Sequence, residues 1–516
     1  MLSWLKGSGD KVDHPLANAR EAKKLIDAIP SKDPLKTLEG AHDWLASVSE
    51  TEAFKVDQRF EVIDLLDVAT RKAQEQLIAT FVTILESERL QEKRVWKTAT
   101  DFWKLLGDAY LVCVDQARDI KSVPGAFKPR LPVLAARATR ALRHQMKWAL
   151  MRYSLLPAGL WEEIARCTVL AEAAGAADTM VELYAGATEP TSPRYEFLRV
   201  MMLWASSPSG LSPVEQDIAE RLVGRLTPKF RFDTQPWEGC DYYFDLAGSR
   251  PPLRLMPATP ITAASRFFDV SEARPALQAM ALRLNSSGQP PPEVDWGPAA
   301  DAPAVARVLK HLGFNWAKVM PPRAHERRRT AMRLHVVQGY QNVQGAIEPG
   351  MGEGLDFSDT LSHDSWIAED VSASGYGLIV PAGKGEWLRV GMLLALRGET
   401  ESSWQVGIIR RVKGDEHRQH RIGIQLISKS AVPVYLRSLA RMAQGSKRQN
   451  ALLLSPRPSP SGSLHVVARR DLFGGRESLE AMYGKPPVTH ILEPGGVLES
   501  GYDFDWLRYK VSQPLF

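Results

Sequence analysis

The sequence predicts an α+β multidomain protein: a mainly α-helical N-terminal half, built as a bundle or as stacked helical hairpins, then a small antiparallel β-barrel with a β-rich C-terminal extension. Apolar residues recur at helical spacing over about the first 225 residues. A stretch rich in proline and glycine follows at 285–303, and beyond it the period of the apolar residues falls to two. A chain of 516 residues can hold several domains with separate cores.

The composition and charge restrict the possible classes of function. Hydrophobic residues make up 44% of the chain and the formal net charge is +5, so any affinity for an anion must come from local basic clusters. Nucleic-acid binding is not indicated. Cys113, Cys167 and Cys240 are far apart and form no CxxC pair. We therefore expect free thiols in a reducing compartment, with neither a disulfide framework nor a metal site.

The N-terminus and the hydropathy pattern indicate the compartment. The first residues, MLSWLKGSGDKVDHP, lack the apolar core of a signal peptide. No run approaches the roughly 18 apolar residues that are needed to span a bilayer. We therefore expect a cytoplasmic protein without membrane insertion.

Spacing and capping residues predict a helical domain over 1–228. The residues at i, i+3, i+4, i+7 and i+11 from Phe102 are all apolar, which places them on one helix face. The pair Asp33–Pro34 is typical of a helix start, and the segment SPVEQDIAERL begins in the same way at Ser212. Several helices with short connections predict a bundle or stacked hairpins.

Four further segments follow the helical domain. Residues 229–284 mix extended and helical patterns, and 285–303 are the linker candidate because they lack periodicity. Residues 304–445 are predicted to form the barrel with flanking helices, one of them over VPVYLRSLARMAQ at its end. Residues 446–516 form the β-rich extension, which either extends the barrel or makes a separate β-unit.

Short segments with alternating apolar residues predict the strands of the barrel. They are RLHVV, WIAEDV, GYGLIV, VGMLLAL, WQVGIIRRV and HRIGIQLIS. Six short strands separated by turn residues are typical of a small barrel. Between the first two lies GYQNVQGAIEPGMGEGLDFSDTLSHD, an apparent insertion that we expect to be a loop over the ligand or a partner contact. Its GMGEG glycines lack the lysine and the strand-to-helix context of a phosphate loop.

Two motifs occur in order on this strand pattern. Arg329 and Arg333 form RxxxR before the first strand, and Asp370, Ser372 and Gly375 form DxSxxG between the second and third. RxxxR alone is uninformative, since Arg221, Arg323 and Arg437 begin the same spacing elsewhere. Each motif alone is also compatible with a bland interpretation, in which solvated arginines guard an edge strand and the turn is an ordinary hairpin.

The ordered pair of motifs resembles the PilZ family, small β-barrel domains that bind the bacterial second messenger cyclic di-GMP. The resemblance covers about residues 322–444 and includes the last two strand segments. It implies a cyclic di-GMP-binding signalling effector, with the ligand held by the motif residues and by a helper arginine. These predicted ligand-binding residues are Arg328, Arg329, Arg333, Asp370, Ser372 and Gly375.

The chemistry of the ligand suits these residue types. Cyclic di-GMP carries guanine O6 and N7 acceptors and two phosphates, which a guanidinium fork matches, and a guanidinium plane also stacks on a purine. Asp370 can accept hydrogen bonds from guanine N–H groups, and Ser372 can donate one to phosphate oxygen. Gly375 permits a positive φ and a close backbone approach. The resemblance further implies that the ligand orders a mobile arginine segment and draws it onto the barrel.

Other functions are less well supported by the sequence. His417 and His420 have HxxH spacing but no third ligand candidate, so a solvated hairpin is favoured over a metal site. Arg410, Arg411, Arg418 and Arg421 could form a secondary basic patch. No enzyme motif, cofactor or metal is predicted, although an enzyme in the helical half stays an alternative. We expect that half to act through a protein partner, the other alternative being a PilZ-fold scaffold that binds no nucleotide and acts in assembly of a surface structure.

Overall fold

The chain forms two compact units. The computed structural model describes residues 12–84, 88–186, 189–322, 325–348, 363–385, 387–417, 419–441, 445–459, 462–484 and 486–514. The first unit ends at Met320, and the second comprises residues 321–516 together with Tyr153–Leu155 and Ser209–Ser212. The predicted fold class, a mainly helical first part followed by antiparallel β-structure, is confirmed.

The first unit is built on helices. They are α1 (Ala19–Asp27), α2 (Pro34–Glu50), α3 (Val56–Thr83), α4 (Arg89–Gln116), α5 (Leu131–Met151), α6 (Leu160–Ala173), α7 (Pro193–Ala205), α8 (Pro213–Leu226), α9 (Ala273–Ser287) and α10 (Ala302–Asn315). The side chain of Asp33 accepts hydrogen bonds from the first backbone amides of α2, so the predicted cap is confirmed. The predicted apolar stripe of α4 is also confirmed, because Phe102, Ala109 and Cys113 are buried.

A small sheet follows α8 in the mixed segment. Its strands are β1 (Arg231–Asp233), β2 (Tyr242–Asp245), β3 (Leu253–Arg254) and β4 (Ser265–Asp269), in the order β1-β4-β2-β3. The segment 285–303 that follows is partly buried: Val294 is 6% and Trp296 8% exposed. Near the end of this segment, Asp301 caps α10. The whole segment lies within the first unit.

The buried carboxylate of Asp67 links α3 to neighbouring parts of the helical unit through hydrogen bonds and an arginine. Asp67 is 1% exposed and accepts hydrogen bonds from the hydroxyls of Tyr110 and Tyr184 at 2.9 and 2.8 Å. The Arg137 guanidinium lies 3.7 Å from the same carboxylate. Because an unpaired buried carboxylate is costly, these partners are what keep Asp67 compatible with the core.

The second unit contains two closed six-stranded barrels. The first consists of β5 (Arg328–Gln338), β6 (Asp364–Ser372), β7 (Gly375–Val380), β8 (Leu393–Gly398), β9 (Gln405–Gly414) and β10 (His420–Ser428). The second consists of β11 (Val432–Ser438), β12 (Gln449–Leu453), β13 (Ser463–Arg469), β14 (Leu479–Tyr483), β15 (Val488–Ser500) and β16 (Phe504–Pro514). Their closed strand orders are β10-β7-β6-β5-β8-β9 and β11-β12-β13-β16-β15-β14. All six strands predicted for the first barrel are present, and the tail forms a separate barrel.

Three local predictions in this unit were wrong. The predicted closing helix begins as strand β11, because Val434, Leu436 and Ser438 are buried while the residues between them are not. Part of the supposed loop is a helix, α11 (Tyr340–Ile347), because Tyr340 and Val343 are buried on one face. The glycines of GMGEG lie outside the described residues. The arginines of RxxxR were predicted to precede the first strand, but they lie on β5, which begins at Arg328 and pairs with β6.

No helix in the described part of the chain combines the length and the hydropathy that a bilayer-spanning segment needs.

Candidate functional site

The predicted motif residues meet where β5 pairs with the end of β6. The Cα register sets Arg329 opposite Asp370 and Arg333 opposite Ile367. Ser372 ends β6 and pairs with Gly375, the first residue of β7. Five of the six predicted ligand-binding residues therefore lie at neighbouring positions on the outer side of one barrel.

Strand register defines a surface that we call the basic face. It consists of two rows of outward residues across five strands: Arg333–Ile367–Ile379–Arg421–Lys413, and Arg329–Asp370–Gly377–Gly423–Arg411. The neighbouring residues of opposite parity, such as Trp366, Leu378 and Ile422, fill the barrel core. Ile367 is 49% exposed, which confirms that these rows face outward.

Two glycines leave the middle of the basic face without side chains. Gly377 and Gly423 are opposite each other on β7 and β10. A Cβ on Gly377 would lie 2.7 to 2.9 Å from the carboxylate atoms of Asp370, so only glycine lets that carboxylate lie across β7. The Asp370 carboxylate therefore lies over the buried Gly377, and Gly423 leaves a position without a side chain next to Arg411.

A second close contact explains the glycine of the DxSxxG turn. A Cβ on Gly375 would lie 1.9 Å from the carbonyl oxygen of Ile424 on β10, so the absence of a side chain lets the turn lie against that strand. Gly375 does not have the positive φ that the sequence analysis associated with it. Its close approach to a ligand stays a prediction. The hydroxyl of Ser372 donates a hydrogen bond of 3.3 Å to the Gly375 carbonyl, which closes the turn.

Asp370 has an arginine partner that the sequence analysis missed. Nη1 of Arg327 lies 3.0 and 3.1 Å from the two carboxylate oxygens of Asp370. The side chains of Arg327 and Asp370 are 42% and 29% exposed, so this ion pair is accessible to solvent. The signal that could have found it is parity: in an extended strand Arg327 projects to the same side as Arg329.

The other predicted arginines differ in their surroundings. Arg328 has the opposite parity from Arg329 and lies across from Val371, so it is not part of the basic face. Arg333 is 64% exposed and its Nε lies 3.9 Å from a carboxylate oxygen of Glu399, which is a weak contact. Among the described residues no ion pair engages Arg329, so its guanidinium is available to a ligand.

The secondary basic patch is divided between two uses. Arg411 and Arg421 belong to the basic face, where Arg421 pairs with Glu369 at 2.8 Å. Arg410 donates instead to Gln425 at 2.8 Å and to both carboxylate oxygens of Glu499 in the second barrel. Arg418 lies outside the described residues. No cluster of three metal-ligating side chains occurs in the part of the chain that the structure describes, the HxxH histidines included.

The arrangement is suited to a dianionic ligand with planar bases. Each row has a cation at both ends, Arg333 and Lys413 in one and Arg329 and Arg411 in the other. These cations can pair with phosphate oxygens, and the arginines also with the O6/N7 edge of guanine. Ile367 and Ile379 offer an apolar surface against which a purine can lie. Asp370, an acceptor when ionised, can take the N–H donors of a guanine edge.

An antiparallel six-stranded barrel with an arginine-rich first strand beside a DxSxxG turn is a PilZ-type nucleotide-binding barrel. Comparison with known families agrees: residues 356–433 match the family described as cyclic-di-GMP receptor FimW, middle PilZ domain, and residues 20–236 match that receptor's N-terminal domain. The chain therefore belongs to the PilZ-domain family. No curated protein matches the chain.

The family matches include only part of the predicted ligand-binding site. The middle-domain match includes Asp370, Ser372 and Gly375 but begins after Arg329 and Arg333. The assignment of the two arginines therefore depends on strand register and on their chemistry. Neither of the two matches extends beyond residue 433, so the second barrel lies outside both.

Proposed function

We propose that the chain is a cyclic di-GMP receptor that binds the dinucleotide on the basic face of its first barrel. The observation that carries the proposal is the row Arg329–Asp370–Gly377–Gly423–Arg411. In this row the Asp370 carboxylate, which could accept a guanine edge, lies between the positions of two arginines. The description of the matched family as a cyclic-di-GMP receptor supports the same ligand.

Each residue has a defined role in the proposed complex. Arg329 and Arg333 pair with the phosphates and with the O6/N7 edge of a guanine. Asp370 accepts hydrogen bonds from the N–H groups of a guanine. The Ser372 hydroxyl and the turn that ends at Gly375 approach a phosphate oxygen. Arg328, the sixth predicted residue, reaches the ligand only if the start of β5 rearranges.

Binding requires that the ion pair between Arg327 and Asp370 opens or shares its carboxylate. Because both partners are partly exposed, breaking this pair costs about 1 kcal/mol or less. A charge-assisted hydrogen bond to the ligand offsets that cost, at about 1.5 to 3 kcal/mol. The released Arg327 is then a further cation beside the bound phosphates.

The output is proposed to pass through the helical unit to a protein partner, in a cytoplasmic effector that carries out no catalysis itself. The support is the order of the domains: the helical segment 20–236 matches the domain that precedes the PilZ domain of the same receptor. Capture of partners from a bacterial lysate, with and without cyclic di-GMP, tests this step. A partner that is retained equally by wild type and Arg329→Ala at all ligand concentrations would contradict it.

The binding proposal is tested by calorimetric titration of cyclic di-GMP into the full-length chain. We expect saturable binding that weakens by about 10- to 150-fold in Arg329→Ala and in Asp370→Asn, the loss that follows from removing one charge-assisted hydrogen bond. Arg457→Ala is the matched control, because Arg457 is exposed in the second barrel, away from the basic face. GTP is the competitor control.

Two results would overturn the proposal. A folded wild-type chain that binds no cyclic di-GMP would favour the alternative, a PilZ-fold scaffold. Binding that is unaffected by Arg329→Ala and Asp370→Asn would place the ligand elsewhere in the chain.

A further inference from the structure

The second barrel repeats the topology of the first. If the strands of each barrel are numbered one to six in chain order, both barrels close in the order six-three-two-one-four-five. Every pairing in both barrels is antiparallel. Equivalent faces of the two barrels can therefore be compared strand by strand.

The face on strands two, three and six differs between the barrels. In the first barrel it carries part of the basic face, including the row Ile367–Ile379–Arg421. In the second barrel the outward row on the equivalent strands is Leu452–Val467–Trp506. The residues of opposite parity on these strands, Leu453, Val466 and Leu507, fill the second barrel's own core. This row is thus apolar throughout in the second barrel, whereas in the first barrel it ends in an arginine. The next outward pair on the same strands of the second barrel is polar, with His465 opposite Arg508.

The apolar face of the second barrel is covered by the first barrel. Leu452 and Val467 are 0% exposed and belong to one cluster with side chains from β5, α11, β8 and β9. The first-barrel members of that cluster are Val337, Tyr340, Val343, Leu393, Ala395, Val406 and Ile408. Two of the elements that carry these residues, β8 and α11, have no residue in the basic face. The other two, β5 and β9, contribute to both surfaces, but with different residues.

Polar contacts at the edge of this interface fix its register. Arg410 on β9 is bound by both carboxylate oxygens of Glu499 on β15. The backbone amide of Tyr340, at the start of α11, donates to the Asp503 carboxylate, and the Tyr340 hydroxyl donates to the Asn450 carbonyl at 3.0 Å. A two-oxygen arginine pair and a capped helix hold one orientation, which an apolar contact alone does not.

The second barrel retains only parts of the two nucleotide motifs. Its RxxxR spacing, Arg437 and Arg441, lies at the end of β11 and just beyond it, and these arginines pair with Glu480 at 2.8 Å and with Glu477 at 3.5 Å. The connection between β12 and β13, LSPRPSPSG, keeps the serine and the glycine of DxSxxG but has Arg457 in place of the aspartate. The strand order is kept, whereas the carboxylate that could accept a guanine edge is absent.

We infer that the C-terminal barrel is a PilZ-type barrel whose ligand-equivalent face serves as a docking surface for the first barrel of the same chain and takes no nucleotide. Docking fixes Val337 and Tyr340, at and just beyond the distal end of β5, whose proximal end carries Arg329 and Arg333. The second barrel thereby holds in place the strand that contributes Arg329 and Arg333 to the basic face. The docking part of this inference does not depend on the identity of the ligand.

The docking surface is tested in the full-length chain by hydrogen exchange measured by mass spectrometry. Val467→Glu introduces a carboxylate at the centre of the apolar contact, and we expect about tenfold or greater acceleration of exchange in first-barrel peptides over α11, β8 and β9. Lys510→Glu is the matched control, because Lys510 is exposed on β16 and outside the contact. Unchanged exchange of these peptides in Val467→Glu would overturn the docking surface.

A charge reversal keeps the test informative if Val467→Glu unfolds its own barrel. Arg410→Glu and Glu499→Arg each break the edge contact, and the double variant restores it with the charges exchanged. We expect each single variant to accelerate exchange over β9 and β15 and the double variant to recover protection in both. If the double variant is no better protected than the singles, the two barrels are not docked as described.

The inference that the second barrel takes no nucleotide is tested by repeating the hydrogen-exchange measurement with cyclic di-GMP. Protection confined to the strands of the basic face, which are β5, β6, β7, β9 and β10, supports the inference, and protection of β12, β13 and β16 overturns it. If no ligand binds at all, the proposed function fails while the docking test stands on its own results.

Discussion

Gly377→Ala separates the proposed ligand role of Asp370 from its role in folding. The added methyl group would lie 2.7 to 2.9 Å from three carboxylate atoms of Asp370, and real side chains do not tolerate such distances. The strand backbone at Gly377 is paired on both sides, with β6 and with β10. The partly exposed Asp370 side chain must therefore rotate away and release Arg327.

The structure sets the expected magnitudes. The ion pair that is lost is partly exposed, so the barrel should lose about 1 kcal/mol or less in its free energy of unfolding. The ligand loses a charge-assisted hydrogen bond of about 1.5 to 3 kcal/mol, which is about a 10- to 150-fold increase in Kd. A large effect on affinity should accompany a small effect on stability.

Calorimetry with cyclic di-GMP and thermal unfolding measure the two effects. Gly423→Ala is the control for stability, because its methyl group would lie 3.6 Å from the Arg411 Cβ, an ordinary contact. Wild-type affinity in a folded Gly377→Ala variant would refute the placement of Asp370 at the ligand. A large loss of barrel stability would refute the argument that the side chain, and not the strand, moves.

Three further predictions concern stability. Gly375→Ala forces a methyl group against the Ile424 carbonyl. The free energy of unfolding of the first barrel, measured with urea, should therefore fall by about 3 kcal/mol or more, and an unchanged midpoint would contradict this. Asp67→Ala leaves the buried hydroxyls of Tyr110 and Tyr184 without their acceptor and should destabilise the helical unit by about 1 to 3 kcal/mol for each hydroxyl, whereas Asp43→Ala, whose side chain is 95% exposed, should have little effect. Burial and neighbouring cations lower the pKa of His144 well below 6.5. The unfolded chain therefore takes up a proton that the folded chain does not. Stability should be full above pH 6.5 and fall below it, by at most about 1.4 kcal/mol per pH unit, and His144→Gln should flatten that slope in urea unfolding.

The barrel strands could be predicted because one face of each is buried. Residues such as Trp366, Leu378 and Ile422 alternate with solvent-facing neighbours, and this period of two is visible in a single sequence. The motif turn was found because its residues are close together in the sequence, although the contact that requires Gly375 is with Ile424 on β10. Its register against β5 was not predicted, since Arg329 and Arg333 were expected to precede the first strand.

The missed elements depend on contacts that are distant in sequence. Strand β11 was predicted as a helix because its alternation is short, and its partners β12 and β14 come later in the chain. Helix α11 lies in a segment rich in glycine and is stabilised by Asp503, more than 160 residues away. Arg327 is the second arginine of the RxxxR spacing that begins at Arg323, which was set aside as uninformative. Its contact with Asp370 becomes visible only when β5 is aligned with β6.

The two barrels differ mainly in the side chains on one outer surface. In the first barrel, isoleucines are flanked by arginines and glycines, so the surface stays solvated and can pair with a dianion. In the second, Leu452, Val467 and Trp506 form a continuous apolar row, which is stable only when another surface covers it. Alternation along a strand lets outward residues change while the inward residues preserve the core. Two barrels with the same strand order can therefore present different outer surfaces without a change of fold, and a variant that moves basic residues onto the docking face should lose the contact before it loses the barrel.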